Sequence, residues 1–165
     1  MSLSNSLACL RRLLLALSVL AGLAVAQPLP DQVRDQTLGV VNCASSLCHG
    51  SIAGWDGSPV VQNEYVVWSR LDKHARAYAL LTNAQSRSIA AKLGLAQPAH
   101  LSRECVDCHA HNPAPVATRP APAHSVADGI SCEGCHGPAQ RWVASHTAPE
   151  ATHQGNIRNG LYPVD

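Results

Sequence analysis

The sequence predicts a mostly α-helical chain with long irregular loops, whose interior is filled by bound groups more than by large side chains. Three observations predict it. Helical periodicity is confined to a few short stretches, and no segment alternates as a strand does. The 165 residues contain no Phe, three Trp and three Tyr, so few large side chains are available for a core. Cysteine and histidine stand together three times, each time with the histidine directly after the second cysteine.

The first 26 residues read as a secretory signal. Arg11 and Arg12 form a positive start, Leu13 to Val25 is an apolar run too short for a comfortable membrane span, and Ala24-Val25-Ala26 is a small-x-small cleavage box. Residues 27–165 are then the exported domain, expected in the periplasm with no stable membrane insertion. Residues 27–40 read as an irregular leader. Asn63 to Leu81 is the best helix, with Val67, Leu71, Tyr78 and Leu81 on one side and Ala75, Ala77 and Ala79 allowing close approach. Thr82 or Asn83 caps a second helix that runs to about Leu93 and stops at Gly94. A helical turn is expected over Ser102–His111. A Pro/Ala linker from Asn112 to Ala123 cannot be regular helix. Ser125 to Gly137 carries the third Cys/His cluster, Pro138 to His146 reads as a short helix, and the tail beyond Pro149 shows no period.

The Cys/His clusters carry the chemistry. Cys105-Val106-Asp107-Cys108-His109 and Cys132-Glu133-Gly134-Cys135-His136 are both C-x-x-C-H, the attachment motif of c-type haem. The two thiols bond to the porphyrin vinyl groups and the histidine ligates the iron. Cys43-Ala44-Ser45-Ser46-Leu47-Cys48-His49 repeats the pattern with four intervening residues. Attachment there through both cysteines, attachment through Cys48 alone, or a zinc site are the alternatives, and two neighbouring haem motifs in an exported chain disfavour zinc. Of the seven cysteines, Cys9 leaves with the signal and the other six all fall in the three motifs, so none remains for a separate disulfide. About three haem c groups are therefore expected, in a small multihaem cytochrome c fold organised around them. A chain with so thin a core is expected to need them in order to fold.

His49, His109 and His136 are the proximal ligands by the motif. Six further histidines are present, and the only methionine is Met1, which departs with the signal. His/Met ligation, which raises haem potential, is thereby excluded for residues 27–165, leaving bis-His ligation or an open sixth position. The distal candidates are His74, within a helical stretch followed by alanines, then His146 after Trp142, then His124 ahead of the third motif. His111 lies too close to His109 to reach the opposite face of the same ring, and His100 and His153 read as solvated. Trp68 and Trp142 are candidates to pack on haem faces, and Arg70, Arg76 and Arg141 to pair with propionates. Residues 27–165 carry ten basic and eleven acidic side chains, and haem propionates add negative charge, so neither nucleic acid nor an anionic membrane is an expected partner. The expected partners are other redox proteins and the haem-attachment machinery.

The order of these features resembles a known group. A haem motif is followed by Trp68-x-x-x-x-x-His74-Ala75-x-Ala77, then Cys105-x-x-Cys108-His109-Ala110. Asp128-Gly129-Ile130-Ser131-Cys132-Glu133-Gly134-Cys135-His136-Gly137-Pro138-Ala139 comes next, and then Trp142 and His146. From about Cys43 to His146 the chain is similar to the tetrahaem cytochrome c-554 family of periplasmic multihaem cytochromes. The resemblance implies closely packed haems that pass electrons, to or from nitrogen-oxide or hydroxylamine chemistry, with His74 and His146 at positions used as distal ligands. It also implies that one haem can have an open coordination site. Two departures stand out: the longer spacing of the first motif and the absence of a fourth. The sequence is thus expected to be a three-haem member or a form shortened at its C-terminus. Low-potential electron transfer is the function the sequence favours, with a small nitrogen-oxide or hydroxylamine redox enzyme as the alternative.

Overall fold

A computed structural model describes residues 29–57, 60–114 and 118–164. The expected signal segment lies outside the described residues. Among the described residues, six short α-helices and several 3-10 turns make up the regular structure, and no β-strand occurs. This is the mostly helical, loop-rich architecture expected.

The long helix expected over 63–81 is broken. Helix α1 covers Glu64–Leu71, a 3-10 turn covers His74–Arg76, and α2 covers Ala77–Leu80. The break has a local cause. Asp72 leaves the helical region (ψ 134°), and its carboxylate accepts the backbone N–H of His74 at 2.9 Å. A short acidic side chain that bonds the backbone two residues on competes with helix continuation. The chain at 129–130 then docks on this break, with the N–H of Ile130 donating to the His74 carbonyl at 3.0 Å. Gly129 passes so close to that carbonyl, at φ +70°, that no side chain fits there.

Helix α3, Ala84–Lys92, follows the sequence reading, with the Asn83 side chain accepting the Ser86 N–H at 2.8 Å. Helix α4, Arg103–His109, and helix α5, Cys132–His136, carry the second and third motifs. Pro138 to His146 is not the short helix expected but a run of turns leading into a 3-10 turn at Ser145–Thr147. The tail, despite showing no period, holds helix α6, His153–Arg158, capped by the Thr152 hydroxyl accepting the Gly155 N–H at 3.1 Å.

The leader is irregular, as expected, but firmly held. It runs alongside the Pro/Ala linker, whose Ala114, Thr118 and Ala121 N–H groups donate to the carbonyls of Asp31, Arg34 and Thr37 at 2.8–2.9 Å. Core packing is sparse. Leu81, Ala90, Ala99, Val106 and Ala110 form the buried cluster between α3 and α4, with Tyr78, Leu95 and Val126 against it. Three of those five are alanines, so the cluster excludes water without filling much volume. No helix among the described residues is long and apolar enough to cross a membrane.

Candidate haem sites

The first and third motifs, far apart in sequence, face one cavity of about 580 Å³. Cys43, Cys48 and His49 line it from the first motif, and Cys132, Cys135 and His136 from the third. Trp68 of α1 and Trp142 add aromatic wall. Trp68 is held by its indole N–H, which donates to the Ile130 carbonyl at 2.9 Å. His74, His146 and His153 also reach this cavity. The second motif faces a separate cavity of about 350 Å³, where Cys105, Cys108 and His109 of α4 share the lining with Leu80, Leu81 and Ile89. Leu80 and Ile89 are half exposed there, an apolar wall that a porphyrin face would cover.

Several histidine rings are anchored through Nδ1. His109 Nδ1 donates to the Ala77 carbonyl at 3.0 Å, and His146 Nδ1 to the Val143 carbonyl at 2.7 Å. A carbonyl only accepts, so Nδ1 carries a proton, and in the neutral imidazole Nε2 then keeps its lone pair. His49 Nδ1 lies 3.0 Å from a Glu64 carboxylate oxygen, and His74 Nδ1 lies 3.0 Å from Asp72. Metal-bound histidines characteristically use the second ring nitrogen in this way. Burial, and then the nearby His49, lowers the His136 pKa and favours the neutral imidazole, the form able to ligate a metal. For Glu64, burial pushes the pKa up, but the His49 hydrogen bond and backbone donors outweigh it, and the net shift is downward. Cys43 and Cys132 touch, and their hydrogen bond raises the Cys43 thiol and lowers that of Cys132.

The rings of His49 and His146 are nearly parallel, 7° apart, with centroids 6.3 Å apart. Trp142 packs edge-on against His146 at 5.4 Å. His124, the third distal candidate, lines neither cavity. It packs edge-on against His111 at 5.6 Å, and its buried Nε2 has no hydrogen-bond partner. His111 is itself buried and bonded to the Thr37 hydroxyl at 3.1 Å. His153 is exposed, as the sequence suggests, and also reaches the larger cavity from the start of α6. The Thr152 cap is the local signal for that helix. Arg70, Arg76 and Arg141 line neither cavity, and Arg141 pairs with Asp35 at 2.7 Å.

The donor set fits haem: paired thiols beside imidazoles with a free Nε2, on apolar walls. No curated protein and no solved structure matches the chain significantly. The family described as cytochrome c554 and c-prime matches residues 42–137, a span that holds all three motifs and more than half of the chain. The chain therefore belongs to the cytochrome c554 and c-prime family, and is a haem c protein of electron transfer.

Proposed function

We propose that this is an exported, periplasmic, low-potential electron carrier holding about three haems. Cys43 and Cys48, Cys105 and Cys108, and Cys132 and Cys135 attach them, with His49, His109 and His136 as proximal ligands. The observation that carries the reading is the His49–His146 pair, parallel and 6.3 Å apart with both Nδ1 atoms engaged. Two imidazoles so spaced, each with Nδ1 engaged, would be able to hold one iron between them through their Nε2 atoms. On this reading His49 and His146 would hold the iron of the first-motif haem, and His74 or His153 would serve the haem of the third. Bis-His ligation supports a low potential, since no methionine follows Met1. Redox proteins are the partners of such a carrier.

A second reading has its own observation. Among the described residues lining the smaller cavity, His109 is the only histidine. A haem held there would find no second histidine in that lining, and its free face would suit a small nitrogen-oxide or hydroxylamine redox activity.

Intact-mass analysis and electron paramagnetic resonance test both readings. A mass gain of three haems is expected, with low-spin signals from the larger cavity, one of which becomes high-spin in His146→Ala. A colourless protein, or an unchanged spectrum in that variant, overturns the assignment. A high-spin signal in the unaltered protein that responds to nitric oxide or hydroxylamine favours the second reading.

A further inference from the structure

Glu133 sits between the two cysteines of the third motif and is 1 % exposed. Its carboxylate accepts four hydrogen bonds, all from backbone N–H groups. Leu38 donates to both oxygens at 2.9 and 3.1 Å, Gly39 donates at 2.8 Å and Ala139 at 2.7 Å. Gly39 offers its N–H at φ +96°, where an added Cβ would strike the Ala123 carbonyl. Every partner is a donor, so both oxygens act as acceptors, which is the demand of the ionised form. No ion pair to Glu133 occurs among the described residues.

We infer that the buried charge of Glu133 lowers the reduction potential of the haem at the third motif. This rests on the reading that Cys132, Cys135 and His136 hold a haem. A negative charge in a low-dielectric interior favours the more positive ferric state over the ferrous. Backbone dipoles solvate the carboxylate but bring no compensating positive charge. The same hydrogen bonds latch the leader, through Leu38 and Gly39, to the third motif and hold the negative charge there.

The test is a potentiometric titration of the haem-loaded protein and of Glu133→Gln, with peptide mass confirming the haem. The third-motif potential is expected to rise in Glu133→Gln and to stay near its original value in Glu133→Asp. A haem present at an unchanged potential in Glu133→Gln overturns the inference alone. A third-motif peptide without haem in the unaltered protein overturns the functional reading and the inference together. Should Glu133→Gln not fold, a redox-difference infrared spectrum decides. It uses isotope-labelled glutamate in protein carrying Glu64→Gln, Glu104→Gln and Glu150→Gln, which leaves Glu133 the only glutamate. Iron and carboxylate act on each other reciprocally, so a labelled carboxylate band that shifts on reduction supports the inference, and its absence overturns it.

Discussion

At the scale of single residues, His111 shows what burial does to an imidazole. Desolvation, then the neighbouring His124, lowers its pKa to about 4. An unfolded histidine titrates near 6.5, so between about pH 6.5 and 4 the unfolded chain binds more protons. The folded state is therefore at full stability above about pH 6.5, and loses up to roughly 3 kcal/mol as pH falls to about 4. The urea midpoint of the haem-loaded protein is expected to drop over that window, and to drop less in His111→Asn. The three Cys/His clusters stood out in the sequence by their spacing, and the structure sets them on the walls of two cavities. Distal positions are harder, since their partners come from elsewhere in the chain. His74 and His146 do reach the larger cavity, while His124 packs on His111 instead.

At the scale of elements, removing the cap of α3 with Asn83→Ala is expected to cost about 1 kcal/mol. Calorimetry should show this as a fall in Tm of roughly 4 °C. Helix α3 was readable because its cap and its stop are local. The break after Leu71 was not, because a helical period continues across it and only the Asp72–His74 contact interrupts the backbone. The six residues of α6 are too few to show a period, so its cap is the only local sign of it.

At the scale of the whole molecule, the buried apolar set is small and rich in alanine: Ala90, Ala99, Ala110, Ala114 and Ala139 belong to it. Burial of a methyl group contributes little against the entropy of ordering a chain. Haem-free protein, made in a host without attachment machinery, is expected to lose its cooperative thermal transition. A sharp calorimetric peak from colourless material would show that the polypeptide suffices by itself.

The larger cavity draws its opposing sides from distant stretches of chain: the bed around His49, and the roof formed by Trp142, His146 and Tyr162. In a chain made from its N-terminus, the bed exists long before its roof. Until the later stretch follows, the early sulfurs stand unsealed, and the groove stays open to any group that would bond to them.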